Sequence, residues 1–241
     1  MKSFLEYWNI ETGDDARSPQ VVSVYAGRFQ PFHYGHYQAY LELCKTFDQE
    51  NCFIVTGDVP KKMNDPSRYP FRFHEKELII KTMFGIPDNR IIFDPQPYTP
   101  QTLLKKYDPD YDILVIGLSE KDMAETPRFT PGTKKDGSPT YFQMFKSFAD
   151  SKPLGEHGYI HIMKEYKVDI MANLRNVGMD KEQEDYAINK IDELFPGGQI
   201  SGTNVRNAWL NLGEADRKYV LMALYGNHHP QIENLFNKKI S

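Results

Sequence analysis

The chain has 241 residues, with 29 Lys and Arg against 33 Asp and Glu, which gives a formal net charge of −4. This acidic balance argues against bulk, non-specific binding of nucleic acid, and no nucleic-acid partner is expected. No apolar run approaches the length of a membrane span, and the N-terminus lacks the basic and apolar regions of a signal peptide. We therefore expect a cytoplasmic protein without membrane contact.

The first half of the chain alternates short strand patterns with helical patterns. Apolar, β-branched runs predict strands over residues 21–26, 52–56, 90–93 and 112–117. Apolar residues at helical spacing predict helices between them, over residues 35–47, 71–84 and 99–107. This order predicts an α/β fold of the Rossmann-like kind, a parallel sheet flanked by helices and connected by right-handed crossovers.

The regular alternation ends after the fourth predicted strand. Residues 119–153 are rich in Lys, Pro, Gly, Ser and Thr, so we interpret them as an insert, either a mobile flap near the ligand or a disordered segment. Further elements are predicted as a fifth strand at 159–163 and helices at 181–195, 204–212 and, in two pieces separated near Gly226, 214–239. The proposed division is an N-terminal extension (1–20), a main domain (21–212) and a C-terminal helical segment (213–241).

Several conspicuous side chains are assigned to structure rather than to a site. Cys44 and Cys52 are expected to be reduced, mostly buried thiols rather than a disulfide. The dipeptide at His228 lacks the i, i+4 spacing of a helical metal site and is interpreted as a surface pair. Trp209 and Tyr219 lie in helical patterns, and we expect them to pack in the core.

Two histidines lie where the first predicted strand gives way to a helix. In the stretch VVSVYAGRFQPFHYGH, His33 and His36 follow a loop and open the helical pattern. A helix N-terminus favours an anionic phosphate, and such a junction is where open α/β sheets bind ligands. Gly27 and Gly35 would let a polyphosphate approach the backbone, and Arg28 would add a charge suited to it. The stretch predicts a polyphosphate site, with histidines that only cap the helix as the alternative.

A second candidate phosphate site is the stretch ISGTNVR at the start of a later helix. The hydroxyls of Ser201 and Thr203 and the free N–H groups of the first turn can hold a phosphate, and Arg206 can reach the same group. Such helix starts are common, so the motif alone is weak. Together with the histidines it suggests two helix N-termini at one polyphosphate. The chain has no G-x-x-x-x-G-K-S/T sequence, and no G-x-G-x-x-G follows its first strand.

The combination of GRFQPFHYGH with ISGTNVR resembles the HxGH nucleotidyltransferase superfamily of adenylyltransferases and cytidylyltransferases. It is most similar to the archaeal-type nicotinamide mononucleotide adenylyltransferases, whose Pro-Phe…Glu-Arg helix start resembles the stretch YPFRFHEK, with Lys76 where arginine is usual. Gly202 stands where the pattern I-S-S/T-T-x-x-R has a hydroxyl residue. The stretch GLSEKD after the fourth strand is more like the phosphopantetheine and cytidylyl branches, and close relatives lack the insert and the N-terminal extension.

The resemblance implies that an acceptor phosphate attacks the α-phosphate of a nucleoside triphosphate and releases pyrophosphate. It implies that His33 and His36 contact the triphosphate, with His36 at the α-phosphate, while Ser201, Thr203 and Arg206 hold the β- and γ-phosphates. Further candidates for nucleotide or phosphate binding are Gly27, Arg28, Phe29, Gly35, Gly202 and Lys76. Weaker candidates for acceptor binding are Asp58, Lys61, Lys62 and Arg68, for which a solvated polar loop is an equal alternative.

The expected activity is therefore nucleotidyl transfer, with adenylation of nicotinamide mononucleotide favoured. ATP is the expected donor, and Mg²⁺ is expected to bind through the substrate phosphates. The partners are a nucleoside triphosphate and a phosphorylated small molecule, with further copies of the chain left open. Two alternatives are a cytidylyltransferase acting on a phosphorylated alcohol or sugar and a non-catalytic nucleotide-binding regulator. A site like that of aminoacyl-tRNA synthetases shares the histidines, but the chain has no K-M-S-K-S sequence.

Overall fold

The computed structural model describes residues 18–58, 65–125, 129–164, 166–196 and 200–240. Lys61, Lys62 and most of the predicted N-terminal extension lie outside these residues. The chain forms two compact units, each assembled from separate stretches. The first unit consists of Met1–Gly27, Ala39–Thr56 and Arg90–Glu165, and the second of Arg28–Gln38, Gly57–Asn89 and Tyr166–Ser241.

The first unit contains a six-stranded parallel sheet. Its strands are β1 (Val21–Ala26), β2 (Cys52–Thr56), β3 (Ile91–Phe93), β4 (Ile113–Ser119), β5 (Phe142–Met144) and β6 (Gly158–Met163). Their spatial order is β3-β2-β1-β4-β6-β5, and every pairing is parallel. In the central register, Ser23 lies between Cys52 and Val115. The predicted α/β class with a Rossmann-like parallel sheet is confirmed.

Nine helices are described along the chain. They are α1 (Tyr34–Phe47), α2 (Phe73–Phe84), α3 (Gln101–Leu104), α4 (Glu120–Glu125), α5 (Ile170–Asn176), α6 (Lys181–Leu194), α7 (Gly202–Asn211), α8 (Glu214–Tyr225) and α9 (Pro230–Lys239). None of the helices in the described ranges is long and apolar enough to cross a bilayer. Most agree with the predicted helices to within two residues.

The central strands are buried along almost their whole length. All residues of β1 and β2 are buried, as are all those of β4 before Ser119. Such continuous burial is typical of a parallel sheet that is covered on both faces, and it explains why these strands are apolar runs without alternation. One core cluster of the sheet unit comprises Val22, Val24, Ala26, Phe53, Val55, Leu103, Leu114, Ile116, Leu118, Leu154 and Ile160.

One helix expected in the first unit is wrong, and one strand was not predicted. The helix predicted over residues 99–107 is only the single turn α3, because Lys106 and Tyr107 form i→i−3 bonds and the chain then reaches Pro109. The stretch 119–153, interpreted as an insert, contains α4 and the unpredicted edge strand β5, which pairs with β6. A three-residue strand is too short for its alternation of side chains to be recognised in the sequence.

The helices of the second unit surround a separate apolar core. Residues of α2 and of α5 to α9 contribute to it. The prediction that Trp209 and Tyr219 pack in a core is confirmed, since they are 0% and 8% exposed. Helix α5 was not predicted, although its N-cap Asp169 accepts a bond of 2.9 Å from the backbone of Ala172.

The remaining assigned side chains are placed as follows. Cys44 and Cys52 are free thiols, the first half-buried and the second buried, as predicted. His228 places Nε2 2.5 Å from a carboxylate oxygen of Glu233. Within the described ranges, no group of three or more His, Cys, Asp or Glu side chains is arranged to hold a metal ion.

Candidate active site

The two motif histidines are stacked on each other at the start of α1. The carbonyl of His33 accepts a bond of 3.1 Å from the backbone N–H of Tyr37, so His33 caps the helix. The backbone N–H of His33 donates to Nδ1 of His36 at 3.2 Å, and the two rings stack with centroids 3.7 Å apart. Because Nδ1 of His36 accepts this bond, a neutral His36 carries its proton on Nε2.

Both imidazoles are held in the neutral form. Burial lowers the pKa of His33 to about 4. Burial, and then the charge of His33, lower the pKa of His36 well below its usual range. Nδ1 of His33 is buried and has no hydrogen-bond partner within the described part of the chain. At neutral pH the pair therefore provides N–H donors without a formal positive charge.

Aromatic rings support His36 from the preceding loop. The ring of Phe29 packs edge-on against two other rings, with its centroid 5.1 Å from that of His36 and 5.0 Å from that of Phe32. Both phenylalanines are buried. Phe29 has φ 45°, in the left-handed region that non-glycine residues rarely adopt, and such strain persists only where the surroundings enforce it. The ring of Phe29, a residue predicted to bind nucleotide, contacts the ring of His36.

Gln30, to which no sequence pattern assigns a role, connects the histidine loop to two other segments. Its side-chain amide exchanges two bonds with the backbone of Phe71, of 2.8 and 3.0 Å. Its own carbonyl accepts a bond of 2.9 Å from Nη1 of Arg206. A single sequence gives no signal that distinguishes this glutamine from a spacer, because the contacts form between residues far apart in the chain.

The second motif forms the first turn of α7. The hydroxyl of Ser201 accepts a bond of 3.1 Å from the backbone of Asn204, as predicted for an N-cap. Arg206 is buried, and its Nη2 donates to the hydroxyl of Thr203 at 3.2 Å. The pKa of Arg206 is lowered by burial and then by the charge of Arg68. The predicted residue Arg68 therefore lies close enough to Arg206 for the two charges to interact.

Both motif glycines are required by close packing. A Cβ on Gly202 would overlap the carbonyl oxygen of Gln30 and lie 3.1 Å from Nη1 of Arg206. A Cβ on Gly35 would lie 2.9 Å from the carbonyl oxygen of Tyr166. Close packing thus gives Gly35 a structural reason, while its expected part in phosphate binding stays a prediction. The same reason accounts for the glycine at position 202, where the motif usually has a hydroxyl residue.

A small cleft in the second unit brings together several predicted residues. It is partly open to solvent, and its walls are formed by Arg28, Gln30, Gly57, Asp58, Tyr69, Phe71 and Lys76. Nη1 of Arg28 donates to the hydroxyl of Tyr69 at 3.1 Å. The cleft therefore combines the cationic side chains of Arg28 and Lys76 with the carboxylate of Asp58. Cationic side chains can bind a phosphate, and a carboxylate can accept a hydrogen bond from another group of the same ligand.

Lys76 is the most buried charged group of this cleft, at 1% exposure. Its Nζ donates to the carbonyl of Gly57 at 2.8 Å and lies 3.7 Å from Oδ1 of Asp58. Burial lowers the pKa of Lys76 to about 8, while the charge of Asp58 acts in the opposite direction. Lys76 was predicted to contact phosphate, whereas the structure places its ammonium against these two protein groups.

Gly27, the remaining predicted residue, belongs to the first unit. Its backbone N–H donates to the carbonyl of Val55 at 3.1 Å, so it continues the pairing of β1 with β2. This bond gives Gly27 a role in the sheet.

The sequence model of the cytidylyltransferase-like family matches residues 24–208. This range includes both motifs and 185 of the 241 residues of the chain. The chain belongs to the cytidylyltransferase-like family. Family membership confirms the predicted enzyme class, a nucleotidyltransferase, and leaves the nucleotide and the acceptor to be determined.

Two individual proteins are similar to this chain, one over 90 residues and the other over most of its length. A curated protein of Pectobacterium atrosepticum, a probable nicotinate-nucleotide adenylyltransferase, is 30% identical over 90 residues, which are 35% of this chain and 41% of the relative. The chain thus spans about two-fifths of that relative's length. A solved structure of Plasmodium falciparum nicotinic acid mononucleotide adenylyltransferase, complexed with APC, aligns with 91% of this chain and 95% of its own, at 13% identity and a TM-score of 0.41. A likeness of that size carries no argument about activity.

Proposed function

We propose that the protein transfers the adenylyl group of ATP to nicotinamide mononucleotide and releases pyrophosphate. The observation that carries this proposal is the link between the two motifs. The loop that presents His33 and His36 accepts, through the carbonyl of Gln30, a hydrogen bond of 2.9 Å from the buried Arg206 of α7. This arrangement brings donors from two helix N-termini to one loop, as a polyphosphate requires.

The chemistry needs positioning more than proton transfer. An oxygen of the acceptor phosphate attacks the α-phosphorus of ATP, a new P–O bond forms, and the bond to the β-phosphate oxygen breaks. The attacking oxygen is already ionised near neutral pH, so no strong general base is required. Catalysis then depends on donors fixed where charge develops. The neutral His36, with its proton on Nε2, is suited to donate to an oxygen of the α-phosphate.

The β- and γ-phosphates are assigned to the first turn of α7. The hydroxyl groups of Ser201 and Thr203 are exposed there, and Arg206 adds a buried charge beside Thr203. Mg²⁺ would arrive with the triphosphate, since phosphate oxygens and water are ligands that it commonly takes. When bound, it would neutralise charge on the phosphates. The side chains described here provide donors to phosphate and not a carboxylate cage for a metal.

The preference for adenylyl transfer to a pyridine mononucleotide rests on two supports. One is the GRFQPFHYGH wording, which is most similar to nicotinamide mononucleotide adenylyltransferases. The other is the name of the Pectobacterium relative, a probable nicotinate-nucleotide adenylyltransferase. The first support favours the amide form of the pyridine and the second names the acid form, so both acceptors belong in the test.

The test is a panel of pyrophosphate-release assays with Mg²⁺. ATP and CTP are each combined with nicotinamide mononucleotide, nicotinate mononucleotide, phosphopantetheine and glycerol 3-phosphate. We expect the highest kcat/KM with ATP and nicotinamide mononucleotide. Turnover with CTP and glycerol 3-phosphate alone would support the cytidylyltransferase alternative, and no turnover with any pair would contradict nucleotidyl transfer. His36→Ala serves as the inactive control and His229→Ala, an exposed histidine outside the site, as its matched control.

A further inference from the structure

The wall of the cleft contains a charged side chain that is almost completely withdrawn from solvent. Lys76 lies in the first turns of α2, is 1% exposed, and directs its ammonium at the carbonyl of Gly57 and the carboxylate of Asp58. Gly57 and Asp58 directly follow β2 in the chain. One side chain of α2 therefore holds two consecutive residues of the cleft wall.

This geometry differs from that of a lysine that binds phosphate. A lysine that acts as a point charge on a ligand has its ammonium at the ligand surface. The ammonium of Lys76 is instead engaged with a backbone oxygen at 2.8 Å and a carboxylate at 3.7 Å. The side chain of Asp58 is 24% exposed, whereas that of Lys76 is 2% exposed. Of the two, Asp58 is the group that a ligand in the cleft can reach.

A buried ion pair is weak evidence for stability, because desolvation offsets most of the attraction. Its consequence here is geometric, since it fixes the carboxylate and the neighbouring carbonyl side by side. Glu75 also acts on Lys76, but it is itself paired with Lys239 at 2.5 Å. Asp58 thus both pairs with Lys76 and lines the cleft.

We propose that Lys76 is a positioning residue, which holds Asp58 so that its carboxylate accepts hydrogen bonds from sugar hydroxyl groups of the acceptor. A carboxylate repels a phosphate and accepts readily from hydroxyl groups, while Arg28 on the same cleft provides the charge for the phosphate. The chemistry of these two groups suits a ligand with both a phosphate and hydroxyl groups better than a phosphate alone. The identity of the acceptor rests on the proposed function. The structural part of the inference, that Lys76 holds the carboxylate of Asp58, does not depend on it.

The structural part is tested without any turnover. Lysine side chains labelled with ¹³C at Cε are titrated by NMR in the full-length protein, and Lys76→Arg identifies the signal of Lys76. We expect one lysine to titrate near pH 8, and Asp58→Asn to lower its pKa further, because the neighbouring negative charge is lost. An unchanged titration in Asp58→Asn would overturn the proposal. Asp88→Asn, which removes the partner of the exposed Lys81 on the same helix, should leave this signal in place.

The functional part is tested by the kinetics of Lys76→Met, Asp58→Asn and the double variant. We expect each single change to raise the KM for nicotinamide mononucleotide about tenfold, and the double variant to be no worse, because residues that act through one another are not additive. The KM for ATP should change less than about twofold. Additive losses, or a raised KM for ATP, would identify Lys76 as a direct phosphate ligand and overturn the proposal.

One further variant and one substrate analogue keep the test decisive. If Lys76→Met does not fold, as judged by circular dichroism, Lys76→Gln removes the charge but keeps a polar side chain and replaces it in the cycle. With nicotinamide mononucleotide that lacks the ribose 2′- and 3′-hydroxyls, Asp58→Asn should cause no further loss; a full loss there would contradict the assignment to hydroxyl groups. If no acceptor turns over, the proposed function fails, while the NMR titration still decides whether Lys76 and Asp58 are coupled.

Discussion

The backbone N–H of His33 donates a hydrogen bond of 3.2 Å to Nδ1 of His36, and the two rings stack with centroids 3.7 Å apart. This bond fixes the proton of a neutral His36 on Nε2 and aims the ring from the first turn of α1. Because the donor is a main-chain group, this bond does not depend on the side chain at position 33. The ring of His33 contributes the stacking contact with His36.

Replacing His36 by alanine should reduce kcat by two or more orders of magnitude, on the scale of a lost transition-state donor, about 2.7–4 kcal/mol. The KM values should change much less, because the lost bond is strongest in the transition state. The measurement is steady-state pyrophosphate release by the folded variant. Activity equal to that of His229→Ala would show that His36 has no role at the α-phosphate.

Acid should destabilise the protein between pH 6.5 and pH 4 through His33. The folded-state pKa is about 4 against 6.5 for an unperturbed histidine, so only the unfolded chain binds this proton within that window. The contribution of His33 to stability is complete above pH 6.5 and falls by about 3 kcal/mol as the pH is lowered to 4. Urea unfolding from pH 4 to pH 7 measures it. His33→Gln should show a shallower slope, and an identical slope would contradict the assignment.

Arg206→Lys should lower both stability and activity, although the charge is retained. A single ammonium cannot reproduce the paired donation by Nη1 and Nη2 to the carbonyl of Gln30 and the hydroxyl of Thr203. We expect the free energy of unfolding to fall by about 1–3 kcal/mol, the cost of an unsatisfied buried group. The control is Arg175→Lys, at an exposed ion pair with Glu184, which should change stability by less than about 0.5 kcal/mol. Equal losses of stability in Arg206→Lys and Arg175→Lys would contradict a special role for the paired bonds of Arg206.

Gly202→Ala should be destabilising, since its Cβ would overlap the carbonyl oxygen of Gln30. Relieving the overlap requires α7 or the histidine loop to shift, with a loss of about 1–3 kcal/mol and a lower kcat. Gly213→Ala is the matched control, because nothing lies within 4 Å of a Cβ at that position. Thermal unfolding of the two variants, together with pyrophosphate release, provides the comparison. A Gly202→Ala variant as stable and active as the control would mean that the close approach is dispensable.

Local chemistry determines which elements could be predicted from the sequence. The strands β1, β2 and β4 are buried apolar runs and were predicted almost to the residue, whereas β5 has three residues and is defined by its pairing with β6. Helix α3 was predicted too long, because its last turn tightens before Pro109. Short-range patterns therefore recover the centre of the sheet and miss its edge.

The site shows the same division between local and long-range information. The histidines of α1 and the cap of α7 are local motifs and were predicted. The contact between Gln30 and Arg206 joins residues 176 positions apart, and no pattern along the chain encodes it. The charge of Lys76 was recognised, but its burial against Asp58 depends on tertiary packing, so its partner could not be foreseen.

The contact that joins the two motifs uses the main chain of one partner and the side chain of the other. Any residue at position 30 carries the carbonyl that Arg206 binds, so no substitution there deletes the acceptor. The bonds to Phe71 are made by the side chain of Gln30, so a substitution at position 30 removes them. A substitution of Arg206 removes the donor of this connection, whereas a substitution at position 30 leaves the acceptor in place and changes only the contact with Phe71.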